Sequence, residues 1–90
     1  MKNKTIYLVV SYKCSACKLQ KTLLQEALME RDDITLTECY LEDLPEWVRT
    51  KIPVGKYPIT VLTEDEKVIL SLIGTTKEKR IKEVINTIRY

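Results

Sequence analysis

The sequence predicts an α/β fold in which strands and helices follow the order β-α-β-α-β-β-α. Three observations support this prediction: a β-branched apolar run near the N-terminus, amphipathic helical patterns, and two apolar runs joined by a short polar connection. The chain has 90 residues, which is the size of one domain. We therefore expect residues 1–90 to form a single domain built on one sheet.

The first three elements are a buried strand, the helix that covers it and a second strand. Residues 5–10 are almost all apolar or β-branched, as is typical of a central strand buried on both faces. Over residues 18–31, apolar side chains recur every three or four positions and predict an amphipathic helix. Residues 34–40 then alternate between polar and apolar, which predicts a strand.

A short helix follows the second strand. Asp43 in the N-cap position, Pro45 in the first turn and Glu46 in the capping-box position predict where it begins. Pro53 and Gly55 predict where it ends, because neither residue favours continuation of a helix.

The last three elements are a hairpin and a terminal helix. Residues 58–62 and 68–73 are two β runs, and the polar segment 63–67 between them predicts an antiparallel pair. Gly74 ends the second run, and a capping box at residues 75–78 predicts the start of a helix. The apolar stripe of this helix consists of Ile81, Val84, Ile85 and Ile88.

Composition and charge exclude several classes of function. Hydrophobic residues make up 44% of the chain and charged residues 31%, and the net charge of +2 is too small to indicate a nucleic-acid partner. No apolar run approaches the roughly 20 residues of a membrane span, and no secretory signal follows Met1. We therefore expect neither a membrane partner nor secretion. A cytoplasmic location is the prediction, and a processed precursor is the alternative.

The motif with the clearest chemistry is Cys14-Ser15-Ala16-Cys17, which lies between the first strand and the first helix. The free N–H groups and the positive dipole end of a helix start stabilise an anionic sulfur, so the pKa of Cys14 is expected below its free value of about 8.5. Cys-x-x-Cys in this context predicts thiol–disulfide exchange. The chain contains no histidine, which excludes a His-activated cysteine nucleophile.

Together with two later features, this motif makes the sequence resemble the thioredoxin and glutaredoxin family. Tyr57-Pro58 opens a later strand, 44 positions after Cys14, and Gly74 closes the next strand 16 positions after Pro58. Both spacings agree with thioredoxin without a gap, and the resemblance covers nearly the whole chain. Only thioredoxin's additional N-terminal helix and strand have no counterpart in this sequence. The resemblance implies a thioredoxin-like fold with a central four-stranded mixed sheet flanked by helices.

The resemblance also implies roles for individual residues. Cys14 is expected to be the exposed nucleophile, and Cys17 the shielded thiol that resolves the mixed disulfide. The Tyr57–Pro58 bond is expected to be cis and Pro58 to face the disulfide, whereas a trans proline opening an edge strand is the alternative. The expected substrate-binding residues are Tyr12, Lys13, Ser15, Ala16, Tyr57, Pro58, Gly74 and Thr75.

The site also departs from the family pattern. Lys13 replaces thioredoxin's tryptophan, and Ser15-Ala16 replaces its Gly-Pro pair. Thioredoxin's buried acid and its lysine partner correspond to Leu8 and Cys39, so the Cys17 proton is expected to pass directly to solvent. The glutathione-binding segments of glutaredoxins are matched only in part.

The predicted function is a small thiol–disulfide oxidoreductase that exchanges Cys14–Cys17 with protein disulfides, acting as a reductant. Its predicted partners are a disulfide-containing protein and an electron source, either a reductase or glutathione. We expect a monomer with a redox-active disulfide and no bound cofactor. The alternatives are a glutathione-linked glutaredoxin and a non-catalytic thioredoxin-fold binding module.

A metal centre is a further alternative for the Cys-x-x-Cys pair. Zinc and iron–sulfur clusters are held by four ligands, and this chain offers the pair, a lone Cys39 and no histidine. A closed site would need a dimer, carboxylates or external thiols, so no metal is expected. Cys39 itself is predicted to be a small buried hydrophobic residue rather than a third redox centre.

Overall fold

A computed structural model describes residues 4–53 and 55–88, and its centre is a four-stranded sheet with the strand order β2-β1-β3-β4. The strands are β1 (Lys4–Val10), β2 (Ile34–Tyr40), β3 (Ile59–Glu64) and β4 (Lys67–Ile73). The helices are α1 (Ser15–Ala27), α2 (Glu46–Arg49) and α3 (Glu78–Asn86), and a 3-10 turn at Leu41–Asp43 precedes α2. The predicted element order is confirmed.

β1 lies inside the sheet because it pairs with strands on both sides. It runs parallel to β2 and antiparallel to β3, with Val9 opposite Ile59. β3 in turn pairs antiparallel with β4, with Ile59 opposite Ile73. Adjacent residues Leu8 and Val9 are both fully buried, which confirms a strand covered on both faces. This register places the end of β1, the start of β3 and the end of β4 at one end of the sheet.

Two hydrophobic clusters cover the two faces of the sheet. The first includes Leu8, Leu24 of α1 and the predicted stripe of α3, and the second includes Val9 and Val48 of α2. Full burial of one such side chain contributes about 1.5 to 3 kcal/mol. Trp47 packs against the second cluster. No helix in the described ranges is long and apolar enough to cross a membrane.

α1 begins three residues before the predicted start and ends four residues before the predicted end. Cys14 is its N-cap, and the Cys14 Sγ accepts a hydrogen bond of 3.1 Å from the Cys17 N–H. The apolar pattern did not reveal this first turn because Ser15 and Ala16 do not extend the leucine stripe. At the other end, Leu28 caps the helix.

The two predicted capping boxes do not form. Asp43 lies in the 3-10 turn instead of capping α2, and the N-cap of α2 is Pro45. The N-cap of α3 is Lys77, which makes no side-chain capping hydrogen bond. The backbone N–H of Thr76 donates instead to Oε1 of Gln20 at 3.0 Å. A long-range partner therefore replaces the local motif at this helix start.

The hairpin is tighter than predicted. β3 and β4 continue to a two-residue turn, Asp65 and Glu66, with φ angles of 51° and 65°. Positive φ at both central residues is the pattern of the turn that matches the twist of two paired strands. The predicted antiparallel pairing is confirmed, although the connection is shorter than residues 63–67.

Candidate active site

Cys14 and Cys17 lie at the end of the sheet where β1 finishes, and they are joined by a disulfide. Their Cα atoms are 5.2 Å apart. Cys14 is partly buried, whereas Cys17 is only 3% exposed. Cys14 is therefore the more accessible of the two cysteines.

The start of α1 supplies the electrostatics of the site. The Cys17 N–H that donates to Cys14 Sγ belongs to the first turn of the helix, and that turn contains no acidic side chain. A hydrogen-bond donor and the positive end of the helix dipole both favour negative charge on an adjacent sulfur. The geometry therefore suits Cys14 as the sulfur that carries charge when the disulfide opens.

The Tyr57–Pro58 peptide bond is cis, as the resemblance implied. Pro58 is buried, and its carbonyl accepts a hydrogen bond of 2.7 Å from the Gly74 N–H. Gly74 has a φ of 76°, a left-handed conformation that favours glycine, and Thr75 after it is exposed. The strand register brings both segments to the sheet end that carries the disulfide. We call the backbone of residues 57–58 and 74–75 the loop wall.

The other predicted substrate-binding residues flank the disulfide. Tyr12 is 79% exposed and stacks on Tyr40, with 5.0 Å between the ring centroids. Lys13 is exposed and has a φ of 52°, which turns the chain from β1 into α1. Ser15 is exposed and Ala16 partly buried in the first helical turn. The structure therefore brings these residues together around the disulfide.

A groove of about 400 Å³ opens beside the disulfide on the side of β2. Both cysteines line it, together with the two stacked tyrosines, and Glu38 is the one carboxylate among its described lining residues. Glu38 also forms an exposed ion pair of 3.5 Å with Lys21. The groove gives solvent a route toward Cys17, which is otherwise buried.

Leu8 belongs to the first hydrophobic cluster, and Cys39 packs against the second. Leu8 is fully buried, and Cys39 is partly buried on β2, opposite Val9. Burial raises the pKa of the Cys39 thiol, and the negative charges of Asp43 and Glu38 raise it further. A thiol that keeps its proton is a poor nucleophile, so the surroundings of Cys39 suit a packing role.

The sequence analysis did not identify Gln20. Its side chain is fully buried: Nε2 donates to Thr60 Oγ1 at 2.9 Å, and Oε1 accepts from the Thr76 N–H. One signal was available in the sequence, because Gln20 lies on the same face of α1 as Cys17 and Leu24 at spacings of three and four residues. A polar side chain on a buried helical face is expected to have a buried hydrogen-bond partner.

A metal centre receives no support from the arrangement of side chains. Within residues 4–53 and 55–88, no group of three or more His, Cys, Asp or Glu side chains is placed to hold a metal ion.

No protein-family model and no curated protein matches this sequence. Solved thioredoxin structures match its fold. Oxidised mitochondrial thioredoxin 3 from Saccharomyces cerevisiae gives a TM-score of 0.75 at 20% identity, covering 96% of this chain and 79% of that one. Plasmodium falciparum thioredoxin gives a TM-score of 0.76 at 15% identity, covering 97% and 83%.

A third similar structure is a malaria-parasite thioredoxin-2, described as a component of the protein secretion machinery. It gives a TM-score of 0.75 at 16% identity and covers 97% of this chain and 84% of its own. At these low identities the likeness establishes the fold. The chain has the thioredoxin fold, and Cys14 and Cys17 form its Cys-x-x-Cys disulfide.

Proposed function

We propose that this chain is a thiol–disulfide oxidoreductase that reduces disulfide bonds in proteins. The observation that supports it most strongly is the Cys14–Cys17 disulfide at the start of α1, with the accessible sulfur capped by a helix N–H. The loop wall at the same end of the sheet provides a surface for a polypeptide substrate. The thioredoxin fold is consistent with this class of chemistry.

The first step begins from the reduced protein. The Cys14 thiolate attacks one sulfur of the substrate disulfide, so that a Cys14–substrate disulfide forms and the substrate S–S bond breaks. The second substrate sulfur leaves as a thiolate and takes a proton from solvent. The Cys17 N–H and the helix dipole stabilise the attacking thiolate, because both favour charge on that sulfur.

The second step releases the reduced substrate. Cys17 loses its proton, and its sulfur attacks Cys14 Sγ, breaking the bond to the substrate. The released substrate sulfur takes up a proton, and the protein is left with the Cys14–Cys17 disulfide seen in this structure. Two electrons have then passed from the protein to the substrate. The groove lined by Cys17 and Glu38 is the proposed path by which the Cys17 proton reaches solvent.

The loop wall is the proposed binding surface for an extended substrate segment. The Pro58 carbonyl is already bonded to the Gly74 N–H, so pairing with the substrate is assigned to the backbone of the neighbouring Tyr57 and Thr75. Backbone pairing of this kind reads the shape of an extended segment more than its sequence. The proposal therefore takes protein disulfides as a class as the substrate.

The cycle needs an electron donor that reopens the Cys14–Cys17 disulfide. A reductase can deliver two electrons, and two molecules of glutathione can deliver the same number by successive exchange. We place this cycle in the cytoplasm, where such donors keep thiols reduced. Recycling by glutathione alone would identify the glutaredoxin-type alternative, and recycling only by a reductase would identify the thioredoxin type.

The test is reduction of insulin, a disulfide-bonded protein, with dithiothreitol as the electron source. The wild type is expected to accelerate the reaction, and Cys14→Ser to abolish the acceleration. Cys39→Ser is the matched control, because it removes the third cysteine of the chain and should keep the activity. A wild-type rate equal to that of dithiothreitol alone would contradict the proposal.

The direction of electron flow is tested by equilibrating the protein with defined ratios of reduced and oxidised dithiothreitol and, for more positive potentials, of reduced and oxidised glutathione. A reductant is expected to have a midpoint near or below about −230 mV. A midpoint more positive than about −180 mV, where disulfide isomerases lie, would contradict the role as reductant and leave the exchange chemistry itself in place.

A further inference from the structure

We propose that Gln20 is a positioning residue. Its hydrogen bonds hold the cysteine-bearing helix α1 against the loop wall and so determine the position of the Cys14 sulfur relative to a bound substrate. This inference rests on the proposed function, because it assigns the geometry by which that function works. It concerns a buried amide that contacts neither cysteine in any of its hydrogen bonds.

The orientation of the Gln20 amide follows from its partners. The backbone N–H of Thr76 can only donate, so the atom that faces it at 3.0 Å has to be the carbonyl oxygen Oε1. The amide nitrogen then points to Thr60 Oγ1 at 2.9 Å. Thr60 is also fully buried, and no buried side-chain nitrogen or oxygen in the described ranges lacks a partner. Both the oxygen and the nitrogen of the Gln20 amide therefore have a hydrogen-bond partner.

These bonds form part of a closed ring. Thr60 lies two residues after Pro58, the Pro58 carbonyl accepts from the Gly74 N–H at 2.7 Å, and Thr76 lies two residues after Gly74. Gln20 joins the two ends of this path across α1. The ring therefore links three separate parts of the chain: the helix, the start of β3 and the loop before α3.

A hydrogen-bonded ring fixes position more tightly than apolar packing does. Leu24, one turn further along α1, holds the helix to the sheet by non-directional contact. Hydrogen bonds weaken steeply with distance and angle, so the ring resists small shifts of α1 along the sheet. Attack on a disulfide needs the reacting sulfurs aligned, and a misplacement of about 1 Å can cost roughly 100-fold in rate.

The ring and the chemistry of Cys14 are separable. The hydrogen bond from the Cys17 N–H to Cys14 Sγ lies within the first turn of α1 and moves with the helix. Loss of the Gln20 bonds should therefore leave the reactivity of Cys14 toward a small reagent unchanged. What should change is the reaction with a substrate held on the loop wall, which depends on the distance between wall and sulfur.

The test compares Gln20→Leu and Thr60→Val with Thr63→Val. Thr63 is the matched control because it lies on the same strand, is 6% exposed, and donates a partly buried hydrogen bond to the Thr5 carbonyl at 2.8 Å. Its bond lies at the opposite end of the sheet. We expect Gln20→Leu to lower kcat/KM for insulin by roughly 10- to 100-fold, mainly through kcat, and Thr60→Val by less. Thr63→Val should leave kcat/KM unchanged.

Two further readouts separate positioning from general destabilisation. In the reduced protein, the rate at which iodoacetamide labels Cys14 should be the same in the wild type and in Gln20→Leu. Hydrogen exchange at the Thr76 amide should be slow in the wild type and faster in Gln20→Leu, and this measurement requires no turnover. If Gln20→Leu does not fold, Thr60→Val takes its place, since it keeps the bond between Gln20 and Thr76.

Each outcome decides between the alternatives. Equal kcat/KM values for Gln20→Leu and Thr63→Val would overturn the positioning role. So would a fall in the iodoacetamide labelling rate of Gln20→Leu as large as its fall in kcat/KM. Unchanged exchange at the Thr76 amide would also overturn it. A wild type that does not reduce insulin would instead overturn the proposed function, and the amide exchange would still show whether Gln20 holds the loop.

Discussion

The two ends of β1 hold their helices in opposite ways. At the disulfide end, Gln20 fastens α1 with neutral hydrogen bonds. At the other end, which we call the charged end, Arg31 pairs with Asp33 at 2.9 Å and donates to the Ile88 carbonyl at 2.7 Å. Asp33 also accepts a hydrogen bond of 3.2 Å from the buried Lys4. The hydrogen bonds that hold α1 at the disulfide end are neutral, whereas those at the charged end join charged groups.

The difference shows how a small protein can separate stability from reactivity. A fixed charge beside a thiol would shift the pKa of that thiol, whereas a buried amide positions the helix and adds no net charge. At the charged end, the Arg31 guanidinium donates to the carbonyl of Ile85 in the last turn of α3 and to that of Ile88 just beyond it, where the helix dipole favours a cation. We therefore expect changes at the charged end to affect stability, and changes at the disulfide end to affect exchange.

The largest expected effect on stability is that of Arg31→Ala. It removes the contacts to Asp33 and to the carbonyls of Ile85 and Ile88, and we expect a loss of about 2 to 3 kcal/mol in the free energy of unfolding. Urea unfolding of the reduced protein measures this. Lys21→Ala is the control, since it breaks an exposed pair worth at most about 1 kcal/mol. Equal losses in the two variants would contradict the comparison.

The second prediction concerns acid. The hydrogen bond from Arg31, aided by Lys4, holds the pKa of the Asp33 carboxyl well below its ordinary value of 3.8. A lowered folded-state pKa stabilises the fold above that ordinary value, and this contribution is lost as the pH falls below it. Urea unfolding of Asp33→Asn should therefore show a weaker loss of stability between pH 5 and pH 3 than that of the wild type. Parallel pH profiles would show that Asp33 does not contribute.

The smallest predicted effect is that of Tyr12→Ala. This side chain is 79% exposed, so its loss should cost less than about 1 kcal/mol of stability while raising KM for insulin. Met29→Ala is matched in exposure, at 81%, and lies just beyond the far end of α1, so its KM should stay at the wild-type value. A KM that rises equally in both variants would remove Tyr12 from the substrate-binding surface.

The sequence predicted the features that are local or that repeat with a period. The buried run of β1, the leucine stripe of α1 and the apolar stripe of α3 each carry their own pattern, and all three elements formed. The cysteine pair and the cis bond at Pro58 could also be predicted from the sequence, because their spacing matches that of the family.

What the sequence did not reveal depends on partners that are distant along the chain. A capping box at residues 75–78 is a sound local prediction, yet Gln20 supplies the bond to Thr76 from 56 positions away. Only the assembled fold brings such distant partners together. The start of α1 was missed for a local reason, because its cap is a cysteine sulfur rather than a Ser, Thr, Asp or Asn side chain.

The central claim is that Cys14 attacks and Cys17 resolves, and its most direct test is to trap the intermediate between the two steps. Reduced Cys17→Ser protein, mixed with insulin, is expected to accumulate a mixed disulfide through Cys14, detected by mass spectrometry after acid quenching. Reduced Cys14→Ser protein should form none, because Cys17 is 3% exposed and burial raises the pKa of the Cys39 thiol. An adduct on Cys17 that forms as readily as the one on Cys14, or no adduct in either variant, would contradict the claim.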